Sequence, residues 1–198
     1  HTTPFEMVEF KFHCKMPIFV ARQWVRHRTA NINEYSLRYS EARDDFYIPK
    51  SEHIQFQSAL NKQGRMGEVS KELKEKVQKY FQEISDRSFQ IYSELNQAGV
   101  ARELARAVLP VNLYTEWYWK NDLHNLLHFV GLRSDNHAQY EIRVFSDAMA
   151  ESIKSVAPFA WEAYQDYAVK GLRFSRIEQS LLEQNLPLIT DQPDYYNL

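Results

Sequence analysis

Val8-Glu9-Phe10-Lys11-Phe12-His13-Cys14-Lys15 alternates apolar and polar side chains with a period of two, the pattern of a strand that turns one face to a core. A strand at this point excludes an all-helical chain. Pro17 follows and suits the first turn of a helix, which Ile18, Phe19, Ala21, Trp24 and Val25 continue at helical spacing to about Arg28. Residues 29–66 keep no sustained period and read mostly as loop, with a short helix or extended piece around Phe46–Ile48. From Glu68 to Leu95 the apolar stripe of Val69, Leu73, Val77, Phe81 and Ile84 marks a long amphipathic helix, and Gly99 stands just past its end. Ala101–Leu109 reads as a short helix closed by Pro110. The aromatic stretch from Val111 to Tyr118 reads as a second strand. Asp122–Val130 returns to helix with Asn121 as its expected cap, and Ala138–Ala168 is helical with a break at Pro158. Phe174–Gln184 reads as a peripheral helix.

Helices outnumber strands and do not alternate with them, so the expected fold class is α+β. One domain is expected over residues 1–186: a small antiparallel or mixed sheet packed against several helices, including one or two long ones. Pro187–Leu198 reads as a tail without a core pattern.

Composition narrows the function classes. The 198 residues are 44% hydrophobic, enough for a real core, and 24 basic against 26 acidic side chains give a net charge of -2. That balance lacks the basic excess of a general nucleic-acid or membrane-surface binder, so neither partner is expected. The lone Cys14 excludes an internal disulfide, no apolar run reaches the roughly 18 residues of a bilayer span, and His1 opens no signal-peptide pattern. A cytoplasmic protein is the expectation. The glycines at 64, 67, 99, 131 and 171 cannot spell G-x-G-x-x-G or a phosphate-binding P-loop. Any phosphate is therefore held by side chains.

Arg22, Arg26, Arg28, Arg38 and Arg43 fall within residues 22–43, a segment without lysine. Guanidinium offers planar, bidentate donors to a phosphate or an imide edge, whereas lysine offers a point charge. The cluster is compatible with cations that suit a helix end, with an anion site, or with a nucleotide- or RNA-binding module that performs no chemistry. His124 and His128 lie four apart, as do His137 and Glu141, the spacing a metal site uses. The Glu that follows the first His in a metalloprotease helix is missing, so no metal is expected. Cys14 sits in the strand pattern among apolar neighbours and reads as a small core side chain rather than a nucleophile.

Arg26-His27-Arg28, seven residues, then Ser36 resembles the R-H-R-x7-S signature of the flavin-dependent thymidylate synthases, and Asn33, Glu34, Arg38 and Tyr39 also fit. The opening His1-Thr2-Thr3-Pro4-Phe5-Glu6 resembles the family's H-x-T-P-F-E segment. Arg102-Glu103-Leu104-Ala105-Arg106 resembles its R-E-x-A-R helix, and Leu132-Arg133-Ser134-Asp135-Asn136-His137-Ala138-Gln139 its L-R-x-D-x-H-A-Q segment. These motifs occur in the family's order from His1 to about Tyr167. They begin inside the usual family chain, so an amino-terminal strand and helix are expected to be missing here.

The resemblance implies reductive methylation of dUMP to dTMP. In such enzymes 5,10-methylenetetrahydrofolate is the one-carbon donor and NADPH the reductant through FAD, and no enzyme cysteine attacks the ring. It implies a dUMP site formed by Gln23, Arg26, Glu34, Ser36, Leu37, Arg38, Arg106 and Arg133, with Arg133 as the catalytic residue facing the uracil. It implies FAD contacts from His1, Thr3, Arg26, His27, Arg28, Thr29, Glu34, Asp122, His124, His128 and His137. In one common form of the family Asn and Arg stand at the positions of Asp122, His124 and His128, so this chain departs from the pattern there. A homotetramer with active sites shared between subunits is the implied assembly.

Overall fold

The computed structural model describes residues 2–59 and 64–185. Contacts divide the chain into two compact units, residues 1–153 and 154–198. The larger opens with helix α1 (Thr3–Glu6), strand β1 (Glu9–Pro17), helix α2 (Ile18–Trp24) and the short strand β2 (Asn31–Glu34). Strands β3 (Phe56–Gln57) and β4 (Arg65–Met66) form a small hairpin ahead of the long helix α3 (Lys71–Gln97) and the short α4 (Arg102–Ala105). Strand β5 (Tyr114–Asp122) leads straight into α5 (Leu123–Arg133), and α6 (Tyr140–Val156) follows.

The fold class is the expected α+β. Three antiparallel strands form a sheet of order β1-β5-β2, with β5 in the centre. Along β5, Thr115, Trp117, Trp119 and Asn121 are buried, while Glu116, Tyr118 and Lys120 take the other face. Phe12, Cys14 and Met16 of β1 stand opposite Trp119, Trp117 and Thr115 on the inner side. Trp24 of α2 fits against that face with ring centroids 5.4 Å from Trp117, 5.5 Å from Trp119 and 5.1 Å from Phe129 of α5. Aromatic pairs at such distances add directional attraction to the area they bury. Leu126 of α5 and Ile142 of α6 are also fully buried. A second cluster, Ala42, Tyr92, Ala105 and Leu113, joins the loop after β2 to α3 and α4; the Tyr92 hydroxyl accepts a hydrogen bond from the Ala42 backbone N–H at 2.8 Å.

Several expected boundaries move. Helix α2 stops at Trp24 instead of reaching Arg28, because the next amides bond three residues back: Arg26 N–H to Gln23 C=O and His27 N–H to Trp24 C=O. The second strand begins at Tyr114 rather than Val111. It also runs on through Asn121, which pairs with Phe10, so the cap of α5 is Asp122 and not Asn121. The Asp122 carboxylate accepts from the Asn125 backbone N–H at 2.9 Å. Within residues 29–66, read mostly as loop, β2 forms as an edge strand along β5 with all four residues exposed. Phe46 makes an isolated bridge to Leu113, as an extended piece there requires. Helix α3 begins where Ser70 accepts from Leu73 N–H and ends before Gly99, whose φ of 78° is the left-handed conformation that favours glycine.

The smaller unit contains α7 (Pro158–Tyr164), a π-helical turn at Gln165–Val169 and α8 (Arg176–Asn185). Pro158 sits in the first turn of α7, the break read from the sequence. The expected tail, Pro187–Leu198, lies outside the described residues.

Candidate functional site

Strand β2 carries Glu34 along β5 opposite Trp117, and Tyr35 N–H extends the pairing to Glu116 C=O at 2.8 Å. The chain then turns on Ser36, whose carbonyl accepts from Tyr39 and Ser40 and whose hydroxyl accepts from Arg38 N–H at 3.3 Å. This turn walls a cavity of about 550 Å³, lined by Glu34, Ser36, Leu37, Glu103, Arg106 and Thr115 among others. Thr115 donates its hydroxyl to Glu34 Oε1 at 2.7 Å and so holds the carboxylate at the cavity. Arg106 enters from the short helical turn after α4; its Nε donates to Glu103 C=O at 3.4 Å, and among the described residues no carboxylate pairs with it. Arg38 stands beside the cavity with its Nη2 3.4 Å from Glu103 Oε2. Arg102 ties the turn down by donating to Tyr39 C=O and Glu41 Oε1.

Four of the expected nucleotide residues, Glu34, Ser36, Leu37 and Arg106, therefore share one cavity, with Arg38 next to it. Gln23, Arg26 and Arg133 are not among its walls. They gather instead around the end of α2. Arg133, in the last turn of α5, donates its Nε–H to His27 Nε2 at 3.0 Å. The His27 ring lies edge-on to Phe129 at 4.8 Å. Burial, then the charges of Arg133 and His128, lower the imidazole from its ordinary 6.5 to about 4. Gln23 Oε1 is buried beside this site and lacks a hydrogen-bond partner among the described residues.

Arg26, Arg28 and Thr29 are exposed after α2, and neither arginine is paired with a carboxylate among the described residues. Unpaired guanidinium groups of this kind fit the phosphates of a dinucleotide cofactor. Helix α1, bearing exposed Thr3, packs against α5, on which His124 and His128 are exposed one turn apart. Asp122 is already engaged as the cap, with both carboxylate oxygens accepting from Asn125; these bonds outweigh burial and lower its pKa. His137 stands apart from both sites: it bonds Asp135 and lines a separate cavity of about 620 Å³ with His53, Arg65 and Arg143. His1 lies outside the described residues.

The arginine segment is not one cationic face. Arg38 reaches Glu103, and Arg43 donates to Glu116 Oε1 at 3.1 Å. Among the described residues no three His, Cys, Asp or Glu side chains form a group able to hold a metal. His137 is exposed while Glu141 is buried, so their spacing does not join them. Cys14 is 5% exposed, and burial pushes its thiol up to about 11. No helix among the described residues is long and apolar enough to cross a membrane.

One polar cluster was not legible in the sequence. Buried Glu141 accepts from Tyr47 Oη–H at 2.8 Å and from Arg65 Nη2 at 2.6 Å, at the end of a largely apolar cavity of about 650 Å³. Burial raises the carboxyl pKa, but the two donors outweigh it and hold it below the ordinary value.

Residues 1–159 match the profile of a family described as Thymidylate synthase complementing protein. The chain is 51% identical over 189 residues to a flavin-dependent thymidylate synthase of Rickettsia conorii, covering 89% of this chain and 64% of that protein. It is 51% identical over 184 residues to the enzyme of that name from Ehrlichia ruminantium (93% and 62% covered), and 48% over 190 residues to that of Dictyostelium discoideum (96% and 62%). The chain thus spans less than two thirds of the length of these relatives. Among solved structures it is similar to a UMP/dUMP methylase, PolB, of Streptomyces cacaoi bound with 5-Br UMP: TM-score 0.79, 30% identity, 84% of this chain and 76% of that chain covered.

Proposed function

Because the chain belongs to the thymidylate synthase complementing protein family, we propose that it acts as a flavin-dependent thymidylate synthase, with its catalytic region in residues 1–186 and 187–198 as a tail. The reaction is the methylation of dUMP to dTMP, with 5,10-methylenetetrahydrofolate as one-carbon donor and NADPH as reductant. The observation that carries this reading is the cavity that joins Glu34, Ser36 and Leu37 to Arg106, from a helical turn far along the chain, with which no carboxylate pairs among the described residues. Those side chains supply a cation for a phosphate, a hydroxyl, and a carboxylate that can accept from donor groups of the sugar or base.

Arg106 and Arg38 bind the dUMP phosphate in this reading, and Ser36, Glu34 and Leu37 orient the nucleotide. Gln23 and Arg26 complete the site. Arg133 faces the uracil imide and stabilises negative charge on its ring nitrogen, since a guanidinium stays protonated where the imide loses its proton. That charge raises the electron density at the carbon to be methylated. Among the described residues no His or Lys side chain is hydrogen-bonded to the Ser36 hydroxyl, which accepts from Arg38 N–H, and Cys14 is buried and neutral, so neither is assigned as a nucleophile. FAD, when bound, supplies the redox chemistry. Arg26, Arg28 and Thr29 would hold its phosphates and ribose, with His1, Thr3, His27, Glu34, Asp122, His124, His128 and His137 as further contacts.

The two groups of nucleotide residues do not share a cavity in one chain, and this separation supports a homotetramer in which each active site draws on more than one subunit. A cytoplasmic location follows from the same reading. Purified protein is expected to be yellow, to bleach on NADPH addition and to form dTMP from dUMP and methylenetetrahydrofolate. A colourless protein that takes up no added FAD and yields no dTMP overturns the proposal.

A further inference from the structure

Resting on the proposed role of Arg133, we infer that His27 is a positioning residue that fixes how the Arg133 guanidinium is presented to the pyrimidine. The contact joins residues 106 positions apart, with Arg133 Nε 3.0 Å from His27 Nε2. An arginine Nε–H only donates, so His27 Nε2 accepts and carries no proton; the neutral ring is then the Nδ1–H tautomer. Burial and the two charges that face the ring, Arg133 and His128 of α5, favour that neutral form.

The consequence for Arg133 is geometric. A guanidinium can address a planar acceptor sideways through Nε and one terminal nitrogen, or end-on through both terminal nitrogens. With Nε engaged by His27, only the end-on pair, Nη1 and Nη2, remains for the two acceptors of an ionised imide edge. The ring itself is held firmly. Phe129, fully buried, packs against it in a T-shaped contact, and the His27 backbone N–H bonds Trp24 C=O at 2.9 Å. The tryptophan-rich core, the imidazole and the guanidinium thus form one rigid line, which limits the orientations Arg133 must lose on binding substrate.

The test combines a spectroscopic and a kinetic arm on the full chain. In protein labelled with ¹⁵N-histidine at neutral pH, the His27 Nε2 signal is expected in the range of an unprotonated ring nitrogen with Nδ1 protonated; the opposite tautomer overturns the inference. The kinetic arm compares His27→Gln, His27→Asn and His27→Leu with FAD content normalised. A glutamine amide oxygen reaches the place of Nε2, whereas that of asparagine reaches the place of Nδ1. His27→Leu is expected to lower kcat/KM for dUMP about tenfold. His27→Gln is expected to recover much of that loss and His27→Asn little of it. Equal losses in the glutamine and asparagine variants, or none in the leucine variant, overturn the positioning role. Wild-type protein that makes no dTMP rejects the proposed function instead, and the tautomer measurement still decides the His27–Arg133 pairing.

Discussion

Thr115 and Glu34, on neighbouring strands, meet at 2.7 Å where the sheet opens into the cavity that also holds Ser36 and Arg106. The hydroxyl is the hydrogen bond that keeps the carboxylate turned inward from an exposed edge strand. Thr115→Val preserves volume and removes the donor. It is expected to raise KM for dUMP about fivefold with little change in kcat, from the loss of one net hydrogen bond at the site. Steady-state kinetics on FAD-saturated protein checks this, and an unchanged KM excludes Glu34 as a nucleotide contact.

Cys14 separates two chemistries for the same product. Its thiol is buried opposite Trp117 and pushed up to about 11 by burial, so no thiolate is available near neutral pH. Cys14→Ala is expected to retain most turnover and to cost about 1 kcal/mol of stability through the small cavity it leaves. Loss of turnover in a folded Cys14→Ala protein is the outcome that contradicts the cysteine-free mechanism.

Acid is expected to destabilise the fold through His27. Its folded-state pKa, about 4, lies below the ordinary 6.5, so between those values the unfolded chain binds the additional proton. The contribution is fully present above about pH 6.5 and is lost as pH falls through 4. Thermal melts from pH 7 to 4 are expected to show Tm falling less steeply for His27→Gln than for wild type, because that part of the proton uptake is gone. Parallel slopes contradict a depressed His27 pKa.

Arg65 and Glu141 give a stability test read by unfolding alone. The Arg65→Met substitution keeps apolar bulk but leaves buried Glu141, among the described residues, with Tyr47 as its remaining side-chain donor. Removing a partner of a buried charge is expected to cost about 1–3 kcal/mol, read as a lower urea midpoint. Adding Glu141→Gln is expected to restore part of that loss, since no uncompensated charge then remains. A double variant less stable than Arg65→Met indicates that the carboxylate is satisfied by other donors.

The sheet and the long helices were legible because their residues repeat with a period. Val8–Lys15 alternates, and Val69 to Ile84 recurs at helical spacing, so the two elements follow from the order of residues; burial along α3 does not, since Leu73 and Ile84 are exposed and its buried residues are Ser85, Ser88 and Tyr92. Strand β2 had no such signal: Asn31–Glu34 is exposed throughout and is extended through its pairing with β5. The end of α2 is not legible, because the helical pattern continues into residues whose amides bond three positions back. Within the candidate site, Glu34, Ser36, Leu37 and Arg106 were all named from motifs, and their meeting in one cavity is a tertiary fact. Glu141 showed only its spacing from His137. Its actual partners, Tyr47 and Arg65, come from loops whose paths no periodicity records.

The pairing of β2 with β5 also sets the charge of the cavity. Glu34 lies opposite Trp117 and Asn33 opposite Tyr118, so the two side chains take opposite faces of the sheet. A slip of one residue would exchange them and present a neutral amide to Thr115 in place of the carboxylate. The segment between Trp24 and Asn31 therefore works as a length gauge: single-residue insertions or deletions there are more harmful than most substitutions, although its side chains are largely exposed.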